Sequence, residues 1–294
     1  MIKKKCIICN NSNFLTVWNN KIRNSSKKFT KKKVKILQCS NCKVVFLKKR
    51  TKKLENSYVA RKIYNKNNSI KEFINFHKPR EIKKLNFVKK YIKLEKKNIL
   101  ESNCGSAVLL SLLKKDAKST TGVDDKNYKD HILKSGHNYY SNISSAIKDK
   151  KKFDVIFSLS ELEHKYDPLE FLKKMRKIIT KNGRLVIRVP NFYNIYRTML
   201  GFYFYKFDFR TSHNFYFSKK NLDILFSKIN FKVEKILGYN EYDVNHLIAY
   251  MKYKKRIGKK YKKVFSKESN NFVCKNIENS LSSTSLIYIL KGKY

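Results

Sequence analysis

The sequence predicts an α/β protein built on a doubly wound, mostly parallel sheet, preceded by a small cysteine-bearing unit. Three observations predict it. Residues 98–124 read as an apolar run, a small-residue turn, a helical repeat, a second apolar run and an acid. Residues 153–191 read as a buried strand, an Asp-Pro helix start, an Asn-Gly and another strand. Two Cys-x-x-Cys pairs stand within the first 42 residues. Strands alternating with helices point to a parallel sheet.

Taken in order, residues 1–50 form the first unit. Cys6, Cys9, Cys39 and Cys42 put two thiolates on each of two tight turns. Four thiolates suit a structural, tetrahedral Zn²⁺ with no open position, hence folding or docking rather than catalysis. Phe14–Trp18, Lys33–Leu37 and Val44–Leu47 are strand-like. The unit resembles a zinc ribbon, although its 29-residue spacer is long and no Gly follows the second Cys of either pair.

Residues 51–80 read as a linker and a helical cover. Tyr58, Ile63 and Tyr64 fit one short helix, and Ile82, Leu85, Val88 and Ile92 a firmer one.

Asn98–Leu100 begin the next strand, and Glu101 ends its apolar run. The turn Ser102-Asn103-Cys104-Gly105-Ser106-Ala107 follows, then Val108, Leu109, Leu112 and Leu113 at helical spacing. Thr120–Val123 make a second strand, closed by Asp124. A ligand at a parallel sheet's carboxyl edge must approach the backbone at the first strand-to-helix turn, so that turn needs small residues. An acid closing the second strand can accept hydrogen bonds from ribose hydroxyls. Asp124 follows Gly105 by 19 positions, a suitable reach. Cys104, inside that turn, reads as packing rather than as a nucleophile.

Residues 136–140 give a third strand and Phe153–Ser158 a buried one, running into Ser160-Glu161-Leu162-Glu163-His164. Asp167-Pro168 starts a helix with Leu169, Leu172, Met175 and Ile178 on its apolar face. The helix is expected to stop at Thr180-Lys181-Asn182-Gly183, with a strand from Arg184 to Val189. Residues 192–212 are dense in aromatics, including Phe192, Tyr196, Phe202 and Tyr205, and read as an acceptor lid or, less readily, a membrane patch. A helix through Leu222–Ile229 and a strand from Asn230 follow. Residues 252–283 read as a helix plus a mobile loop, and Ser285–Leu290 as the last strand.

On these residues the chain resembles class I S-adenosylmethionine-dependent methyltransferases. The family turn, acid-x-Gly-x-Gly-x-Gly, stands here as Glu101-x-Asn103-x-Gly105-x-Ala107. Only the central Gly remains, though Asn103 can visit positive φ and Ala107 is small. The block 153–191 is the closest match. The resemblance implies a Rossmann-like seven-stranded sheet across a methyltransferase domain at residues 81–294. It implies S-adenosylmethionine held by Glu101, Asn103, Gly105, Ala107, Asp124 and Ser160. His164, with Glu163 beside it, lies where a general base should sit, and His213 is a second candidate. Joined to a zinc unit, the core is similar to bacterial sugar methyltransferases. That similarity implies a small polar acceptor such as a nucleotide-linked sugar, as a free sugar nucleotide or at the cell surface.

Composition weighs the alternatives. The net charge is +46, from 68 Lys and Arg against 22 Asp and Glu. A polyanion partner such as RNA would explain it. An A+T-rich genome explains it better, because Lys, Asn and Ile are inflated together and Lys is spread evenly. The Asn/Asp-Pro-Pro-aromatic motif of base-amino methyltransferases is replaced by Ser160-Glu161-Leu162-Glu163. An RNA binder, an rRNA methyltransferase and a non-catalytic relative with a degenerate turn remain the rival classes. No apolar run of about 18 residues exists, so no transmembrane helix is expected. Without an apolar leader segment, a cytoplasmic protein is expected.

Overall fold

The computed structural model describes residues 5–24, 28–52, 70–254 and 261–292. Its strands are β1 Phe14–Asn20, β2 Val34–Cys39, β3 Val45–Leu47, β4 Asn98–Ser102, β5 Ser119–Val123, β6 Asn138–Tyr140, β7 Phe153–Leu159, β8 Ile179–Pro190, β9 Phe215–Tyr216, β10 Phe231–Tyr239 and β11 Ser285–Gly292. Ile99 and Leu100 on β4, and Val155, Ile156 and Phe157 on β7, are all buried. Runs apolar on both faces belong to strands covered on both sides, and these two lie at the centre of a sheet. That sheet has seven strands in the order β10-β11-β8-β7-β4-β5-β6. β4 pairs in parallel with β5 and with β7, and β5 in parallel with β6. The chain therefore leaves β4 toward β5 and β6, then returns to β7 on its other side. This reversal is the topological switch point, where ligands of doubly wound sheets bind.

Two compact units divide the chain. One comprises Thr51–Ile187, Phe226–Glu234 and Ile289–Tyr294. Its first described helix, Ile70–Lys89, starts well before the expected Ile82 and carries Pro79 inside it. Leu85 and Val88 bury its C-terminal half, which offsets the hydrogen bond that Pro79 cannot donate. The short helix expected around Tyr58, Ile63 and Tyr64 lies outside the described residues. The Asp167-Pro168 start is as expected: Asp167 Oδ1 accepts the Glu170 amide at 3.0 Å, and Pro168 is the first helical residue. The helix ends at Ile178, and β8 begins at once at Ile179. Thr180–Gly183 are therefore strand, not a helix stop. A Cβ on Gly183 would lie 2.6 Å from Ile179 Cγ1 and 3.0 Å from Asp154 O, so this Gly serves close strand packing.

The other unit comprises Met1–Arg50, Arg188–Leu225 and Lys235–Tyr288. Its antiparallel sheet has the order β1-β2-β3-β9. The first three strands are those expected. The fourth comes from Phe215–Tyr216, a pairing that the sequence did not announce. Much of the aromatic stretch 192–212 is core, while Met199, Phe202 and Tyr203 stay exposed. Phe192, Phe209 and Tyr216 pack with Trp18, Ile22, Ile36, Val45 and Leu47. Phe209 stacks on Tyr205 at 5.1 Å and meets Tyr216 edge-on at 4.9 Å. Asp243 caps a helix Val244–Tyr253 that was not expected. The helix of the 252–283 stretch is Lys267–Asn279, and part of the expected loop, 255–260, lies outside the described residues.

His137 ties helix to strand beneath β6. Its Nδ1 lies 2.8 Å from Thr120 Oγ1 and its Nε2 3.2 Å from Ser111 Oγ. Burial, with Lys114 and His131 nearby, lowers its pKa from 6.5 to about 4. The imidazole is neutral in the folded protein, while the unfolded chain takes up a proton near 6.5. Its contribution to stability is complete above about 6.5 and is lost as pH falls toward 4. Urea unfolding at pH 7 and 4.5 should show a loss of about 2 kcal/mol from this group, absent in His137→Gln. An identical pH dependence in the variant would assign the loss elsewhere.

Candidate functional site

The site grows from the end of β4. Asn103, Gly105 and Ala107 have φ of 61°, 57° and 53°. All three positions of the glycine pattern are left-handed, although only one is Gly. Asn tolerates this conformation, and Ala pays about 1 kcal/mol for it. The turn is pinned from β5: the Asn103 amide donates to Val123 O at 2.8 Å, and the Gly105 amide to Asp124 Oδ2 at 2.5 Å. Asp124 Oδ1 accepts the Asp125 amide at 2.7 Å, and its backbone oxygen accepts from Tyr139 Oη at 3.1 Å. Cys104 fills the space beneath, where a Cβ on Gly122 would stand 2.7 Å from its Sγ. This is the packing role expected of Cys104.

Across the switch point, Glu161 follows β7. It is buried and accepts from Ser102 Oγ at 3.0 Å and from Ser158 Oγ at 2.9 Å. Lys165 Nζ pairs with the same carboxylate at 2.8 Å. The ends of β4 and β7 are thus joined through one buried acid. Ser160, with φ 61°, makes the turn that aims it.

These groups line a cavity of about 730 Å³. Ser102, Asn103, Asp124 and Asp125 form one wall, Ser141–Ser144 a second, and Glu161, Lys165, Tyr166 and Phe171 a third. Of the six residues expected to hold a cofactor, Asn103 and Asp124 line this cavity. Glu101 is buried on β4, Gly105 acts through Asp124, and Ala107 caps the helix Val108–Leu113. Glu163 and His164 share the short 3₁₀ turn Leu162–His164, Glu163 fully buried, and do not line the cavity. His213 belongs to the other unit, buried before β9 with its ring 5.5 Å from Tyr216. Sequence reasoning missed Ser102, Asp125, Glu161 and Lys165. The doubled acid at 124–125 and the Glu161/Lys165 spacing of four were the available signals.

The cysteines meet in the other unit. All four Sγ atoms lie within 4.8 Å of one another, with Cys6–Cys42 at 3.7 Å and Cys9–Cys39 at 3.4 Å. Tetrahedral Zn²⁺ with bonds near 2.3 Å needs sulfur edges of about 3.8 Å. The two turns are built alike. Asn10 N donates to Cys6 O and Lys43 N to Cys39 O, and Asn10 and Lys43 both have φ 61°. The left-handed residue after each second Cys is present without its Gly. Asn11 Nδ2 approaches Cys39 Sγ at 3.6 Å, the kind of N–H contact that supports a thiolate ligand.

A family model described as "Methyltransferase domain" matches residues 72–236, more than half of the chain. The chain belongs to this methyltransferase family. The chain is 33% identical over 147 residues to a ubiquinone biosynthesis O-methyltransferase of Pelagibacter ubique, covering 48% of this chain and 56% of that protein. It is 28% identical over 116 residues to the protein of that name from Coxiella burnetii, covering 37% and 50%. A tRNA U34 carboxymethyltransferase of Nautilia profundicola is 28% identical over 113 residues, covering 35% and 38%. The chain spans about half the length of most of these curated relatives. A chain in the solved complex between the Haloferax volcanii Trm112 methyltransferase activator and a methyltransferase superposes with a TM-score of 0.51 at 10% identity, covering 75% and 94%, which shows a shared fold.

Strain in the turn after β4 is measurable. Ala107→Gly should raise stability by up to about 1 kcal/mol, reduced by the entropy of the freer unfolded chain. Thermal melts of the two proteins check it; a lower Tm in the variant would contradict a strained Ala107.

Proposed function

We propose that the chain transfers a methyl group from S-adenosylmethionine to a small polar acceptor. The observation that carries this reading is the carboxylate of Asp124, fixed by the Gly105 amide and lining the cavity between the ends of β4 and β5. An acid that closes the second strand and lines the crevice can accept hydrogen bonds from ribose hydroxyls, and Asp124 stands at that position. The wall Ser141–Ser144 would take the base edge with neutral polar groups and the Ile143 side chain. Glu101 and the left-handed turn belong to the same cofactor set, and Ser160 shapes the facing loop.

S-adenosylmethionine supplies an electrophilic methyl on a sulfonium. The protein must then align the acceptor, exclude water and remove the acceptor's proton. His164 is the proposed base, with the buried Glu163 beside it in sequence and His213 as second candidate. The four cysteines are proposed to hold one structural Zn²⁺, supported by their spacing and by the paired turns. A nucleotide-linked sugar is the acceptor class that the sequence resemblance favours. The relatives act, by their names, in ubiquinone biosynthesis and on tRNA, and these provide the competing substrates.

Calorimetry should detect binding of S-adenosylmethionine. Asp124→Asn, which keeps an acceptor for the turn, should weaken binding by roughly 1.5–3 kcal/mol. His164→Ala should bind the cofactor normally and turn over about 10²-fold more slowly. No binding to the unaltered chain would favour a non-catalytic relative. Methylation of tRNA with none of a sugar nucleotide would replace the acceptor class.

Metal analysis should find one zinc per chain. Cys39→Ser should lose it and loosen the sheet of β1, β2 and β3. Zinc retained after replacement of all four cysteines would exclude the assignment.

A further inference from the structure

One face of the unit that bears the cysteines carries exposed apolar side chains away from the cysteine cluster. Gly201 separates the helices Ile195–Leu200 and Phe202–Asp208 with φ 51°, and an added Cβ there would meet nothing within 4 Å. On the inner side Tyr196, Leu200 and Phe204 pack with Leu247 and Tyr250 of the helix Val244–Tyr253. On the outer side Met199 is 48% exposed, Phe202 58%, Tyr203 39% and Tyr253 46%. Single exposed apolar residues are ordinary; four on one support are not.

The lysines decide the occupant. Lys254 Nζ lies 4.9 Å from the centre of the Tyr203 ring, and Lys252 Nζ 5.6 Å from that of Tyr253. Lys206 is exposed on the same short helix as Phe202. In sequence, positions 252–263 carry eight Lys or Arg and no acid. Stacked nucleobases would need open ring faces. Here each tyrosine already carries an ammonium over one face, and Phe202 lies against Trp18 at 5.2 Å between centroids. What remains outward is apolar tips with a cationic rim. Aromatic and methionine side chains entering a headgroup layer while lysines stay at phosphate level have this composition.

We infer that Met199, Phe202, Tyr203 and Tyr253, rimmed by Lys206, Lys252 and Lys254, form a docking surface for a membrane leaflet containing anionic phospholipid. It requires no spanning segment, and among the described residues no helix is long and apolar enough to cross a membrane. The inference does not depend on the acceptor.

Sedimentation of the full chain with vesicles at physiological salt tests it. Vesicles of one-third phosphatidylglycerol in phosphatidylcholine should bring the protein down, and pure phosphatidylcholine should not. Phe202→Ser with Tyr203→Ser should lower binding about tenfold or more. Because Phe202 touches Trp18, a second variant is needed. Lys206, Lys252 and Lys254 changed together to Glu should lower binding as strongly with an unchanged melting temperature. Phe76→Ser, an equally exposed aromatic of the other unit, should bind as the unaltered chain does. Three results would overturn the proposal. These are no binding to anionic vesicles, binding that survives loss of the aromatics, and an equal loss in Phe76→Ser. Tighter, patch-dependent binding of single-stranded RNA than of vesicles would also overturn it.

Discussion

The hydrogen bond from the Gly105 amide to Asp124 Oδ2 is the constraint on which the site depends. It holds the turn after β4 against the end of β5, and it orients the acid beside the cavity. It acts with the Asn103 amide on Val123 O and the Ala107 amide on Cys104 O to fix the left-handed residues 103, 105 and 107. Backbone strain of about 1 kcal/mol at a non-Gly position persists only where neighbours over-determine it. Here the neighbours are Val123 O, Asp124 and the Cys104 thiol packed over Gly122.

Glu161 is the counterpart on the other side of β4. A buried carboxylate is costly unless satisfied, and this one receives two hydroxyls and an ammonium. Ser102 and Ser158 are register partners at the end of β4, and this bridge ties the chain that leaves β4 to the chain that leaves β7. Ser102 supplies the hydroxyl from the β4 side, which makes a residue outside the glycine pattern part of the site.

Glycine positions occupied by other residues recur through the chain. Asn10 and Lys43 in the cysteine turns, and Asn103 and Ala107 in the turn after β4, all adopt the conformation that Gly would take freely. The chain has only eight glycines. A turn whose hydrogen bonds are intact tolerates the substitution, so loss of a Gly from a motif is weaker evidence against a site than it looks on the page.

The sequence by itself determined the elements that are local. Apolar runs at 98–102 and 153–159, the Asp167-Pro168 cap, the acid at 124 and the paired cysteines each depend on spacing within a few residues or on one sheet-edge rule. Only the tertiary structure decided what joins distant segments. Glu161 meets Ser102 across 59 positions, and Phe215–Tyr216 completes a sheet begun at Phe14. The aromatics at 192–212 looked like a lid because their partners, Trp18 and Ile36, lie far back in the chain. Gly183 looked like a helix stop because its neighbour Asp154 is on another strand. Periodicity records which side of an element is apolar; it carries no record of which other element covers that side, and here that choice set the core, the crevice and the exposed face.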